Sequence, residues 1–201
     1  MDEFYVCKIA SIQEMNTKWE YEIAQSGIDK DNWIVWKKQN IENYQQGYII
    51  PYYGILDGII ICEATAMIHP KVVQNSDGLV DSHTVYLSAF RTVDKFQGKG
   101  YFSKLFHFML DDLRQKGFTK AALGVEPSEG KNKEIYTHYG FLEYIKSSKE
   151  CYPNGTMWNT MEKCLNNRDA PKRPAVPSRN RPVALFIASH VTVLRRTVIC
   201  H

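Results

Sequence analysis

Along this chain the apolar positions switch repeatedly between alternation and helical spacing, and each switch predicts an element. Residues 3–10, Glu-Phe-Tyr-Val-Cys-Lys-Ile-Ala, read as a first strand. Ser11-Ile12-Gln13-Glu14 has the form of a capping box, in which the Ser11 hydroxyl accepts from the amide three residues on and Glu14 reaches back. A helix therefore starts there, with Ile12, Met15, Trp19 and Ile23 on one side, and ends at Gly27. A second helix follows Asp29, carries Trp33, Trp36 and Tyr44, and stops at Gly47. Residues 48–56 and 59–68 are β-rich runs joined by Asp57-Gly58, a dipeptide suited to a tight hairpin turn.

Beyond a polar loop, residues 84–92 form a strand that feeds a glycine-containing turn and then a helix over 101–116. Phe102, Leu105, Phe106, Met109 and Leu113 lie on one face of that helix, and Gly117-Phe118 has the form of a Schellman end. A strand over 120–125, a short helix from Ser128 to Gly140, and strands over 141–146 and 156–162 complete the pattern, with Pro153-Asn154-Gly155 as the last turn. From Asn166 the character changes: no Gly, Tyr or Trp occurs, and Pro171, Pro174, Pro177 and Pro182 crowd into a basic segment. This predicts a domain over 1–163 and a flexible or foreign tail over 164–201. The tail's apolar run, Val183 to Leu194, is too short to span a bilayer, although it is able to add a strand to a neighbour.

Composition narrows the class. A hydrophobic share of 44% supports a globular core, while the mean hydropathy of -0.38 argues against a membrane span. The net charge of +3 is uneven, because Arg168, Lys172, Arg173, Arg179, Arg181, Arg195 and Arg196 face Asp169 alone in the tail. That tail has no aromatic ring besides Phe186, so nucleic acid is not an expected partner. The five cysteines are scattered without a Cys-x-x-Cys pair, which suggests neither a disulfide framework nor a metal site. Asp2 and Glu3 stand where a signal peptide would be basic, and a cytoplasmic protein is expected.

The stretch from Arg91 to Leu105 carries the candidate chemistry. Its glycines permit a tight turn, and the first N–H groups of the following helix lack intrahelical acceptors, so together they make an anion site. Lys95, Lys99, Lys104 and the Ser103 hydroxyl add charge and donors there. Gln97-Gly98-Lys99-Gly100 resembles the (Gln/Arg)-x-x-Gly-x-(Gly/Ala) pyrophosphate loop of the GCN5-related N-acetyltransferases (GNAT). Ile135-Tyr136-Thr137-His138-Tyr139-Gly140-Phe141 resembles the second signature of that family. The likeness extends over residues 3–163. Phe102 departs from it where Gly or Ala is usual, Gly124 where an acidic residue is frequent, and Glu129 where an Asn often helps hold the pantetheine arm.

The resemblance implies an α/β (α+β) fold with a mixed, mostly antiparallel sheet of six or seven strands flanked by about four helices. It implies acetyl-CoA as co-substrate, held by the backbone of Phe90, Arg91, Thr92 and Val93 and by Gln97, Gly98, Lys99, Gly100, Tyr101, Phe102 and Ser103. It implies that Tyr136 protonates the departing CoA thiolate, while an acceptor with a primary amine, small molecule or peptide, attacks directly. The acceptor side of such a fold would include Trp33 and Trp36, which otherwise pack their helices on the sheet. Glu63, a lone carboxylate in an apolar strand, is the first candidate for general base. His69, His83 and His138 read as ordinary loop or surface residues, and Cys62 and Cys151 are left out because direct transfer needs no acyl-enzyme. A homodimer is one expected arrangement. The competing reading is a catalytically weak or inactive acyl-CoA-binding module.

Overall fold

The capping box forms as written: the Ser11 hydroxyl accepts from the Glu14 amide, and Glu14 accepts from the Ser11 amide at 2.8 Å. In the computed structural model, which describes residues 4–151 and 158–167, this box turns β1 (Tyr5–Ile9) into α1 (Ile12–Gln25). Gly27 at φ 58° ends that helix, and α2 (Lys30–Gln45) follows until Gly47 at φ 70°. Asp57 at φ 47° and Gly58 at φ 82° make the hairpin turn between β2 (Ile49–Leu56) and β3 (Ile59–Met67). Both central residues of that turn need positive φ, the geometry whose twist matches the flanking strands.

After β3 come β4 (Thr84–Thr92), α3 (Tyr101–Gln115), β5 (Lys120–Val125), α4 (Gly130–His138), β6 (Glu143–Cys151) and β7 (Trp158–Asn167). They form a seven-stranded sheet in the order β1-β2-β3-β4-β5-β7-β6. Every neighbouring pair is antiparallel except β4 and β5, which run parallel around α3. The expected mixed sheet with four flanking helices is present.

One face of the sheet carries α3 and α4. Phe102, Leu105, Phe106, Met109 and Leu113 of α3 are buried against Ala64, Ala66, Val85, Leu87 and Leu123, with Ile135, Tyr136 and Tyr139 of α4 packed on the same cluster. Each such side chain removed from water contributes about 1.5–3 kcal/mol, which makes this stripe the main anchor of α3. The other face takes α1 and α2, where Met15, Trp19, Ile41 and Tyr44 meet Ala10, Ile49 and Tyr53. Beside them Val73, Leu79 and Val80, from the loop before β4, cover Tyr86 and Ala122.

Several boundaries differ from expectation. α4 begins at Gly130 and not at Ser128, because the Glu129 amide closes a turn onto the Glu126 carbonyl at 2.9 Å before the helix starts. β6 runs to Cys151, well past residue 146, since it stays paired with β7 although Lys146-Ser147-Ser148-Lys149-Glu150 shows no apolar alternation. β7 covers 158–167 in place of 156–162, and its last residues pair Ala121 with Asn166 and Lys120 with Asn167. The predicted domain end at Lys163 thus falls inside β7. Residues 168–201, with the apolar run, and the turn Pro153-Asn154-Gly155 lie outside the described residues. Among the described residues no helix is long and apolar enough to cross a membrane.

Candidate active site

The site begins where β4 parts from β5. Their parallel ladder pairs Thr84 with Lys120 and ends at Leu87 with Leu123. On the other side of β4 the register slips at the same place: Arg91 faces Glu63, but Ser88 faces Thr65, so β4 holds one residue more than β3 there. The extra residue bulges at Ala89, whose φ is 54°. From that bulge onward β4 has no strand on its β5 side, while Gly124 and Val125 pair only with β7. The Val93 amide still bonds to the Ile61 carbonyl at 2.9 Å, and alternation along the strand turns the N–H groups of Phe90 and Thr92 toward the gap.

The glycine loop closes the far end of the gap. Gly98 at φ 72° and Gly100 at φ 80° adopt the left-handed conformation that turns successive amides to one side, directly before the N-terminus of α3. A Cβ on Gly100 would meet nothing within 4 Å, so glycine is required there for conformation and not for space. Gln97 braces the loop from inside through bonds to the Thr92 carbonyl (3.2 Å) and Asp94 Oδ1 (3.0 Å). Lys95 and Lys99 stand over Phe96, and Lys104 stands beside Tyr5 and Tyr101. Phe102 is 3% exposed and packs edge-on against Phe90 with centroids 5.6 Å apart, so its ring lies in the core while its backbone opens the helix. Tyr101 is likewise buried, and the Ser103 hydroxyl engages Tyr139 and lies 3.5 Å from His107 Nδ1.

Between gap and helices lies a cavity of about 350 Å³, lined by Ser88, Ala89, Phe90, Phe102, Ile135 and Tyr136 among others. Its lining also includes Met67, Tyr86, Glu150 and Met161, so it passes through the sheet from the α3–α4 face to the opposite one. Tyr136 is held by Phe90 at 5.7 Å and Phe141 at 6.4 Å. Its hydroxyl takes no hydrogen bond from the described residues. Burial, and then the Glu129 carboxylate, push its pKa well above that of a free phenol. Asn132, one turn before Tyr136, is buried, lines the cavity and donates to Glu129 Oε2 at 2.9 Å.

Glu63 lies elsewhere. Its carboxylate pairs with Lys18 at 2.8 Å and approaches Arg91 at 3.9 Å, and Arg91 in turn pairs with Glu22. These four charges belong to a second pocket, between α1 and the near ends of β3 and β4, which Tyr136 does not reach. Alternation turns the Arg91 amide toward β3 and away from the gap, so the expected backbone contact from Arg91 is not offered there, and its side chain belongs to this network. The Thr92 side chain turns inward, its hydroxyl 3.5 Å from Cys62 Sγ. Burial pushes the Cys62 thiol up to about 11, away from thiolate chemistry. Trp33 packs edge-on against Trp19 and Trp36 between α1 and α2, and the tryptophans line neither cavity.

Nothing in the sequence pattern singled out Lys163 as part of a site. This side chain is fully buried, donates to the Tyr86 hydroxyl at 2.7 Å and pairs with Glu150. A Cβ at Gly124 would stand 2.6 Å from that hydroxyl and 2.9 Å from the Lys163 nitrogen, which explains a glycine in mid-strand. Only the charge at an inward position of β7 hints at the arrangement. Among the described residues no group of His, Cys, Asp and Glu is arranged to hold a metal ion.

Comparison with known proteins agrees with this geometry. The model of the acetyltransferase (GNAT) family matches residues 14–141, a span that contains the glycine loop, Tyr136 and Gly140-Phe141. A search of curated proteins finds no match. Among solved structures, the fold is similar to that of the ribosomal-protein-S18-alanine N-acetyltransferase of Escherichia coli, with TM-score 0.60 and 14% identity over 86% of this chain and 99% of that one. It is similar to AAC(6')-Ib in complex with ribostamycin and coenzyme A, with TM-score 0.57 and 14% identity over 85% and 99% of the two chains. The yncA protein of Salmonella typhimurium, solved with its cofactor acetyl-CoA, gives TM-score 0.56 and 16% identity over 86% and 99%. At these identities the likeness is one of fold.

Proposed function

The chain belongs to the GNAT family of acetyltransferases, and from that premise we propose that it transfers the acetyl group of acetyl-CoA to a primary amine by direct attack, with Tyr136 as general acid. The observation that carries the reading is one cavity whose wall is the unpaired edge of β4 at Ser88, Ala89 and Phe90, and whose lining includes Phe102 in the first turn of α3 and Tyr136. The residues fit such a co-substrate. The gap offers N–H groups of Phe90 and Thr92 to a pantetheine arm, and the turned amides of 98–101 suit a pyrophosphate. Phe102 is compatible with that use, because its ring is spent on the core and only backbone is asked of it.

Bound acetyl-CoA supplies the activated thioester. The chain's part is to hold it, to offer a backbone N–H where negative charge grows on the carbonyl oxygen, and to deliver a proton to the sulfur. Tyr136 suits the last task because its raised pKa keeps the phenol protonated at neutral pH, and its hydroxyl is not committed to another described residue. Proton delivery of this kind contributes typically 10²–10⁴-fold. Glu63 has a narrower place: shared between Lys18 and Arg91, it ties α1 to β3 and β4, and Glu63→Gln tests whether it also accepts the amine proton.

Calorimetry with acetyl-CoA, followed by thiol release with a panel of amines, tests the proposal. Binding with amine-dependent release of CoA supports it. Tight binding without transfer to any amine selects the acyl-CoA-binding module, and no binding removes both readings.

A further inference from the structure

From the bulge at Ala89 onward, β4 is bonded along one edge only: Arg91 faces Glu63 and Thr92 faces Cys62 across the β3 ladder, and the Val93 amide reaches the Ile61 carbonyl at 2.9 Å. No ladder on the β5 side fixes how far this segment stands from β5 or how it tilts. Side chains must do so. Along a strand they alternate between faces, and Phe90 packs against Phe102, Phe106 and Tyr136 on the side of α3 and α4 while Arg91 points to the other. There Arg91 pairs with Glu22 and stands 3.9 Å from Glu63, which takes Lys18 at 2.8 Å. Lys18 and Glu22 are one turn apart on α1, and Glu63 and Arg91 are partners across the ladder of β3 and β4, so the four charges form a square with two corners on the helix and two on the sheet. Lys18, Glu22 and Glu63 are buried. The charges cancel, and such a buried set contributes little net stability relative to apolar side chains of the same volume. What it adds is direction, because a planar guanidinium meets both carboxylates only from a narrow range of positions.

We propose that Arg91 and Glu22 are positioning residues for the co-substrate: by holding β4 to α1 they set the separation of the β4 edge from β5, and with it the aim of the Phe90 and Thr92 N–H groups on either side of Arg91. This rests on the acetyl-transfer reading. Neither residue touches the reacting atoms, because Arg91 turns its amide to β3 and its side chain to the second pocket, and Glu22 lies on α1. The helix is a firm support, capped at Ser11 and seated by Met15 among Ala10, Ile49 and Tyr53. The strand is thus tethered through the one side chain that stands between the two amides. A misplacement of about 1 Å at a group that holds a reacting carbonyl costs up to about 10²-fold in rate, so slack in this tether is read at the thioester.

The test uses the full chain with Glu22→Gln, Arg91→Lys and the double variant, Glu63 being set aside as the candidate base. Ser11→Ala is the control, since it weakens α1 at its cap and leaves the four charges alone. Urea melts give global stability, amide exchange of Val93 gives the local opening of β4, and calorimetry gives acetyl-CoA affinity. Each single variant is expected to speed Val93 exchange at least about tenfold beyond the change in global stability and to weaken acetyl-CoA by about three- to tenfold, with the double variant no worse than about the weaker single. Arg91→Lys keeps the charge and carries the test where Glu22→Gln fails to fold. Ser11→Ala is expected to change stability alone. Exchange and affinity that merely follow global stability in all the variants overturn the positioning role, as does wild-type affinity in both single variants. A wild type that binds no acetyl-CoA, together with fast Val93 exchange in the variants, removes acetyl transfer and leaves the tether of β4 standing.

Discussion

The Tyr5 hydroxyl donates to the main-chain carbonyl of Tyr101 at 2.8 Å, and the two rings lie 4.9 Å apart. The first strand is thereby fastened to the first residue of the helix that closes the glycine loop. Tyr5 reaches it by crossing over Gly54 of β2, where a Cβ would stand 2.0 Å from the phenol oxygen. β1, β2 and the start of α3 are in this way one mechanical unit. Its purpose in the proposed reaction is to keep the amides of the loop aimed at the phosphates.

Tyr5→Phe is expected to cost about 1 kcal/mol of stability and to loosen acetyl-CoA binding by about three- to tenfold, with kcat nearly unchanged. Gly54→Ala is more severe, about 1–3 kcal/mol or more, because the added carbon meets a ring held on both sides. Combining the two recovers only part of that loss, since the ring carbon at 2.8 Å remains in Phe. Denaturant melts and calorimetry on the four proteins of this cycle measure the coupling. Independent, additive effects would show that the contact does not join loop and strand.

Gly100→Val places a β-branched residue at φ 80°. The space is open, so the cost is conformational, about 1–2 kcal/mol, and the chain should still fold. Acetyl-CoA affinity should fall at least about tenfold as the amides turn away. A variant that binds as tightly as the wild type removes the loop from the phosphate site.

Tyr136→Phe keeps the packing against Phe90 and Phe141 and deletes only the proton. The chemical step is expected to slow by about 10²-fold or more, with acetyl-CoA affinity little changed. Tyr139, whose ring packs 4.4 Å from that of Phe106, is expected to tolerate Phe with a small effect. Full turnover by Tyr136→Phe, measured where chemistry limits the rate, would reassign the acid.

Alkaline pH should unfold the protein for an identifiable reason. Burial raises the pKa of Tyr5, Tyr52, Tyr53, Tyr86 and Tyr136, in several cases with help from a nearby carboxylate. In the unfolded chain these phenols ionise near the ordinary value of about 10. Below that pH both states hold the proton and no stability is lost; above it the unfolded chain releases protons that the folded chain retains, so stability falls as pH rises. Urea melts at pH 8, 9, 10 and 11 should show the loss beginning near pH 10. Phenolate absorbance of the folded protein should count fewer ionised tyrosines than the unfolded chain. Flat stability through pH 11 would contradict the burial of these hydroxyls.

Gly124→Ala is expected to destabilise by about 1–3 kcal/mol, since its Cβ would press on the Tyr86 oxygen and the Lys163 nitrogen. Tyr86→Phe opens that space but leaves Lys163 without one acceptor, so the double variant should be less unstable than the sum of the singles. Strict additivity in chemical denaturation would mean that Gly124 is not set by this pair.

Much of the architecture was legible because its causes are local. The capping box at Ser11 and Glu14, the Asp57-Gly58 turn and the apolar stripe from Phe102 to Leu113 each lie within a few turns of chain. So does the Schellman end at Gly117, where the Phe118 amide reaches the Leu113 carbonyl. Short-range geometry is specified by residue type, so it can be read from residue type. Signature residues likewise pointed to Gly98 and Gly100, which take the left-handed conformation before α3, and to Tyr136, which lines the cavity. The second half of β6, residues 147–151, escaped the pattern because an edge strand can be held by its backbone pairing with β7 while Ser147, Ser148, Lys149 and Glu150 are polar on both faces. The parting of β4 from β5 after Leu87 and Leu123, the partners of Glu63, and the burial of Lys163 against Tyr86 and Glu150 were decided only by tertiary structure. Each depends on segments distant in sequence arriving side by side, and a carboxylate among isoleucines looks the same in the sequence whether its neighbour in space is a lysine, an arginine or a substrate.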